Sequence, residues 1–71
     1  MSLSCYYYNK LVNDKGKHEI HNISCQHAPL PENRVTIGII GTYDEALTLA
    51  KSKEPNKIFE GCYYCCKSYH S

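Results

Sequence analysis

The pattern of hydrophobic and polar positions predicts a β-hairpin near the start of the chain. Residues 5–12 are rich in aromatic and β-branched side chains, which favour a strand. Residues 17–23 are predicted to form the return strand, because Gly16 can adopt the left-handed conformation that closes a short turn with a bulge. Side chains alternate along a strand, so His18 and His21 are expected on opposite faces of the hairpin.

A loop and a third strand are predicted to follow. Residues 24–33 contain Pro29 and Pro31, which remove two backbone donors and favour extended geometry in the residues before them. Residues 34–40 are nearly all apolar, which predicts a strand in the centre of the sheet or beneath a helix. Gly38 weakens this strand and indicates a bend.

The clearest local signal is the start of a helix. Thr42 can accept a hydrogen bond from the amide of Glu45, and the Glu45 side chain can reach back to the amide of Thr42, which is a capping box. The helix is predicted over residues 43–53, because Pro55 prevents its continuation. Helical spacing places four apolar residues on one face of this helix: Tyr43, Ala46, Leu47 and Ala50.

Together these elements predict an α+β fold. About three antiparallel strands, at residues 5–12, 17–23 and 34–40, form a small sheet, and the helix packs on one face. After the helix the chain is expected to return with Ile58 and Phe59 as hydrophobic anchors. A Cys-x-x-Cys knuckle lies near its C-terminal end.

Composition limits the possible classes of protein. The 71 residues predict a single domain spanning 1–71, and 42% hydrophobic with 21% charged residues excludes a disordered, charge-rich chain. The formal charge is +1 and neither half is strongly basic, so no stripe that would follow nucleic-acid phosphates is present. No apolar run reaches the length of a membrane span, and the start lacks the basic and apolar regions of a signal peptide. We therefore expect a cytoplasmic protein that does not cross a membrane.

Five cysteines and four histidines are the unusual feature of this composition. In a reducing compartment, clustered Cys and His indicate a metal more than a disulfide framework, and an odd number of cysteines supports this. Cys62-x-x-Cys65 has the spacing with which two thiolates reach one tetrahedral zinc ion. His21-x-x-x-Cys25, at the end of the predicted hairpin, supplies a second pair. The sequence predicts one structural zinc ion bound by these four residues.

Other residues remain alternatives for individual ligand positions. Cys66 could replace Cys65, since a Cys-x3-Cys spacing also allows binding. His21 alone could be an ordinary strand histidine, and Cys25 could be a small buried hydrophobic residue. The reserve ligands are His18, Cys5 and His70, whereas His27, before the proline-rich loop, is expected to be solvated.

The order of these motifs resembles the Ada-type metal-binding domain. The shared motifs are His21-x3-Cys25, the Gly-Thr-x-x-Glu-Ala segment at 41–46, and Gly61-Cys62-x2-Cys65. The resemblance covers about residues 6–66. It implies a hairpin, a short helix and one structural zinc ion with His21, Cys25, Cys62 and Cys65 as its ligands.

The resemblance also bears on catalysis. In the Ada repair protein, the first cysteine of the first pair accepts a methyl group from a DNA phosphotriester. The matching position here is His21, whose imidazole is not that nucleophile. We therefore expect no methyl transfer, with acceptance through Cys25 as a remaining alternative.

The sequence thus favours a non-catalytic, zinc-stabilised binding module whose partner is another protein. The first alternative is nucleic-acid binding through exposed tyrosines at 6–8 and 63–64, since tyrosine can stack on bases. Tyrosines on a hairpin are, however, more often cross-strand packing pairs. The second alternative is a thiol redox protein using Cys62 and Cys65, although such motifs usually begin a helix.

Overall fold

The structure of the chain, a computed structural model, describes residues 3–26 and 29–62. These residues form a four-stranded sheet and one α-helix, which confirms the α+β class. The helix has the predicted bounds. In chain order the elements are β1 (Ser4–Asn9), β2 (His18–Asn22), a 3₁₀ turn (Pro31–Asn33), β3 (Arg34–Ile40), α1 (Tyr43–Lys53) and β4 (Phe59–Gly61).

The sheet has one strand more than the three that the sequence predicts. Its order is β3-β1-β2-β4, with β1 antiparallel to both of its neighbours and β4 parallel to β2. β4 has only three residues, too few for an alternating pattern to stand out in the sequence. It forms because Phe59 is buried and because Glu60 and Gly61 continue the pairing with β2.

The hairpin forms as predicted but its first strand is shorter. β1 ends at Asn9, whose side-chain oxygen accepts a hydrogen bond from the Leu11 amide and turns the chain. Leu11 and Val12, expected in the strand, are exposed in the connection. Gly16 has a φ of 76°, which is the left-handed conformation that the turn requires.

β3 lies at the edge of the sheet, beneath the helix, and it contains a β-bulge. Tyr6 pairs with Gly38 but Tyr7 pairs with Thr36, so Ile37 is the additional residue. The bulge allows both Ile37 and Ile40, three positions apart, to be buried. Gly38, where a bend is expected, has a φ of 157°, a backbone angle that favours glycine, and it directly follows the additional residue of the bulge.

The helix begins at the predicted cap. The Thr42 hydroxyl oxygen accepts from the Glu45 amide at 3.3 Å, and the Glu45 carboxylate lies 3.3 Å from the same hydroxyl instead of bonding the Thr42 amide. The predicted apolar face is confirmed, since Tyr43, Ala46 and Ala50 are buried and Leu47 packs partly buried against them.

The helix covers one face of the sheet and defines the hydrophobic core there. Phe59 belongs to this core as expected, whereas Ile58 is 60% exposed and is not the predicted anchor. The buried core comprises Tyr6, Tyr8, Ile20, Ile37, Ile40, Tyr43, Ala46, Ala50 and Phe59. In the part of the chain that the structure describes, no helix is both long and apolar enough to cross a membrane.

The three consecutive tyrosines are all buried, at 9% exposure or less. Tyr6 and Tyr8 point into the core under the helix, so Tyr7 points to the opposite face, which we call the open face. Tyr7 is nevertheless only 2% exposed. Tyr6–Tyr8 therefore pack within the fold, and the expectation of exposed tyrosines is wrong for this segment.

Candidate metal centre

Three of the predicted ligands come together on the open face of the sheet. The ligand atoms of His21, Cys25 and Cys62 all lie within 4.8 Å of one another, so this group could hold a metal ion. His21 belongs to β2, Cys25 lies in the turn that follows, and Cys62 follows β4 directly. Two segments of the chain, the end of β2 with its turn and the residue after β4, therefore meet at one point.

The parallel pairing of β4 with β2 brings Cys62 beside His21. Gly61 is paired with Ile20, and the Cys62 amide extends the ladder by donating to the Ile20 carbonyl oxygen at 3.0 Å. His21 follows Ile20 and Cys62 follows Gly61, so both side chains point to the open face. Each is only 2% exposed.

A tight turn brings Cys25 back toward His21. The Asn22 side-chain oxygen accepts from the Ser24 amide and hydroxyl, each at 2.9 Å. The Asn22 carbonyl oxygen accepts from the Cys25 amide at 2.9 Å. An asparagine that satisfies the following amides in this way ends the strand and reverses the chain. The turn explains how residues four apart can face one another.

The two sulfur atoms lie at a separation suited to a shared metal. Cys25 Sγ and Cys62 Sγ are 3.7 Å apart. A disulfide bond is much shorter, about 2.05 Å. Two thiolates bound tetrahedrally to one zinc ion at about 2.3 Å would be about 3.8 Å apart. The observed distance therefore needs little adjustment for both sulfurs to bind one ion.

An aromatic stack covers one side of the histidine. Tyr7 lies opposite His21 in the hairpin, with ring centroids 5.7 Å apart and ring planes 26° apart. The guanidinium carbon of Arg34 lies 4.9 Å from the Tyr7 ring centroid. This arrangement explains how Tyr7 and His21 are buried on a face that the helix does not cover.

Polar groups surround the centre on its hairpin side. Glu19, two residues before His21 on the same face of β2, has its Oε1 atom 4.0 Å from His21 Nε2. The side-chain nitrogen of Asn13, Nδ2, donates to Glu19 Oε2 at 3.4 Å and to Glu60 Oε2 at 2.5 Å. Glu60 is itself buried, with Lys17 Nζ at 3.7 Å from its other oxygen. A connected set of polar contacts thus runs from the hairpin turn to the histidine.

Only some of the remaining predicted and reserve ligands lie among the residues that the structure describes. Cys65, the predicted fourth ligand, lies outside the described residues, as do Cys66, His70 and His27. Among the described residues, Cys5 and His18 are not members of the group that could hold a metal. His18 lies on the helix side of the sheet, where its Nδ1 atom is 2.8 Å from the Asn9 carbonyl oxygen.

The site has three neighbours that the Cys and His motifs alone do not indicate: Tyr7, Glu19 and Arg34. Glu19 could have been found from period-two alternation, since it precedes His21 by two residues. Tyr7 required the register of the hairpin, and Arg34 required the bulged pairing of β3 with β1.

Comparisons of the chain with models of protein families, with curated proteins and with solved structures found no match.

Proposed function

We propose that the chain is a non-catalytic, zinc-stabilised binding module whose partner is another protein. The observation that carries the proposal is the convergence of three ligand-type side chains, His21 and Cys25 from the end of β2 and its turn, and Cys62 from a segment 37 residues beyond Cys25. Thiolate and imidazole donors in a tetrahedral arrangement favour zinc.

We assign the fourth ligand position to Cys65, the second cysteine of the Cys-x-x-Cys pair. Four protein ligands leave no position for water or substrate, and zinc sites of this closed kind are structural. The burial of His21 and Cys62 supports the assignment, since it keeps solvent away from two of the ligands. The Ada-like order of motifs supports it as well, because the resemblance implies the same four ligands.

The proposal includes the absence of catalysis. His21 stands where the Ada-type domain has its methyl-accepting cysteine, and an imidazole does not take over that reaction. Cys25 is the thiol by which methyl acceptance would remain possible. Analysis by mass spectrometry after incubation with DNA carrying methyl phosphotriesters should show no added methyl group on any cysteine. Methylated Cys25 would contradict the non-catalytic proposal.

A protein partner is supported by apolar residues beside the site. Ile39 is paired with Cys5, and the Ile23 amide donates to the Cys5 carbonyl oxygen, so the three residues form a row across the open face. Ile39 and Ile23 are 72% and 57% exposed. Exposed apolar side chains that lie together are typical of contact surfaces. Nucleic-acid binding through Tyr6–Tyr8 is not proposed, because those rings are buried.

Metal removal tests the proposal directly. Native mass spectrometry should find one zinc ion per chain, and excess EDTA should unfold the protein as followed by circular dichroism. Metal binding supplies about 10–16 kcal/mol in small zinc domains. A chain of this length is expected to have only about 4–11 kcal/mol of total stability. Loss of the ion should therefore remove the folded state.

A matched control uses EDTA already saturated with zinc, which should leave the spectrum unchanged. Zinc added back to the EDTA-treated chain should restore it. A chain that keeps its secondary structure and its melting temperature after complete metal removal would contradict the proposal. It would show that the core under α1 is sufficient for folding.

A further inference from the structure

We infer that Glu19 is a positioning residue for the metal centre: it holds the His21 ring so that Nδ1 binds the metal and Nε2 carries the proton. The inference rests on the proposed zinc site and adds to it the choice between the two ring nitrogens.

Tyr7 restricts the ring of His21 to one plane. The two rings are nearly parallel, and His21 is 2% exposed, so the imidazole cannot tilt away without losing this stacked contact. The freedom that remains is a half-turn about the bond to the ring. Such a half-turn changes which nitrogen faces the sulfur atoms and which faces away from them.

Glu19 distinguishes these two orientations of the ring. Its Oε1 atom lies 4.0 Å from Nε2, which is too long for a hydrogen bond but close enough that a small rotation of the Glu19 side chain would form one. A carboxylate attracts an N–H group and disfavours a bare ring nitrogen. With Nε2 protonated toward Glu19, the lone pair that can bind the metal is on Nδ1.

The carboxylate of Glu19 is in turn held by the hairpin turn. The side-chain nitrogen of Asn13 donates to Glu19 Oε2. The side-chain oxygen of Asn13 accepts from the backbone amides of Lys15 and Lys17 at 2.9 and 3.0 Å. Glu19 is therefore restrained on the side away from His21. Carboxylates that accept from the second nitrogen of a ligating histidine orient the ring and strengthen it as a ligand.

The test is made on the zinc-loaded full chain with ¹⁵N-labelled histidine. Long-range ¹H–¹⁵N spectra distinguish a metal-bound from a protonated ring nitrogen, and they should show His21 bound through Nδ1 and protonated at Nε2. A competition titration against a chromogenic zinc chelator gives the affinity. Glu19→Ala should weaken zinc binding about 10–100-fold. Glu19→Gln keeps an acceptor oxygen and should recover part of this loss.

Glu32→Gln is the matched control, because Glu32 is an exposed carboxylate in the 3₁₀ turn. It should leave both the affinity and the histidine spectrum unchanged. Metal bound through Nε2, or an unchanged zinc affinity in Glu19→Ala, would overturn the positioning role while leaving the zinc site intact. Failure of the wild-type chain to bind zinc at all would overturn the zinc site and the positioning role together.

Discussion

At the residue scale, the two described cysteines of the centre are not equivalent in their surroundings. Cys62 is held in the sheet by a backbone hydrogen bond and is 2% exposed, whereas Cys25 lies in a turn and is partly exposed. Both sulfur atoms are nevertheless required if they share one ion, because a serine hydroxyl is a far weaker ligand for zinc than a thiolate.

Single cysteine substitutions therefore provide a residue-scale prediction. Cys25→Ser and Cys62→Ser should each abolish tight zinc binding in a chelator competition titration. Cys5→Ser is the control, because Cys5 also lies on the open face but outside the cluster. It should leave the affinity nearly unchanged. A loss in Cys5→Ser equal to that in Cys25→Ser would contradict the ligand assignment.

The fourth ligand is tested by neighbouring cysteines that differ only in position. Cys65→Ser should abolish tight binding, since two intervening residues after Cys62 let both thiolates reach one ion. Cys66→Ser should have a mild effect. The reverse result in the same titration would contradict Cys65 as the fourth ligand and assign that position to Cys66.

At the element scale, the start of α1 is determined by local chemistry. Thr42 has extended backbone angles, and its hydroxyl accepts from the Glu45 amide, which would otherwise lack a partner within the helix. Asp44 and Glu45 in the first turn, and Lys51 and Lys53 in the last, match the helix dipole. Because each end of the helix is marked by residues within one turn of it, the sequence predicts α1 with its observed bounds.

Removal of this cap gives the element-scale prediction. Thr42→Ala should lower the free energy of unfolding of the zinc-loaded protein by about 1 kcal/mol, as measured by urea denaturation. Thr48→Ala is the control within the same helix. Thr48 is exposed and donates only to the Asp44 carbonyl oxygen, so alanine should be neutral or slightly stabilising. An equal loss in both variants would show that threonine packing, not capping, is responsible.

Elements that depend on distant residues were harder to predict. The parallel pairing of β4 with β2 joins segments about 40 residues apart, and three residues carry no detectable periodicity. The Cys and His spacing still indicated that Cys62 and His21 would meet, because metal ligation imposes its own geometry. The spacing does not indicate which backbone pairing brings the two residues together, namely the β2–β4 ladder that continues from Gly61 to Cys62. For the same reason Tyr7 is identified as a neighbour of His21 only by the structure, whereas period-two alternation along β2 already places Glu19 on the same face as His21.

At the scale of the whole molecule, the sheet has two differently covered faces. The helix buries one face, and the cluster of His21, Cys25 and Cys62, with the Tyr7 ring stacked on His21, covers part of the other. Small chains bury too little surface for one core to give a wide margin of stability. We interpret the centre as the counterpart of a second hydrophobic layer, because it joins β2, the following turn and the residue after β4 at one point.

The small net charge of the chain predicts that it binds nucleic acid only weakly. The net charge is +1, and the described tyrosines, Tyr6–Tyr8 and Tyr43, are buried. A fluorescent single-stranded DNA titrated at several salt concentrations should bind weakly, with a slope of log affinity against log salt of about −1 to −2. Each neutralised phosphate of a single strand contributes only about −0.7 to this slope, so a shallow slope means few phosphate contacts. Tight binding with a slope steeper than about −4 would reverse the preference for a protein partner. The variant Tyr63→Ala with Tyr64→Ala would then test whether those two rings supply the stacking, since neither can be replaced by the buried Tyr6–Tyr8.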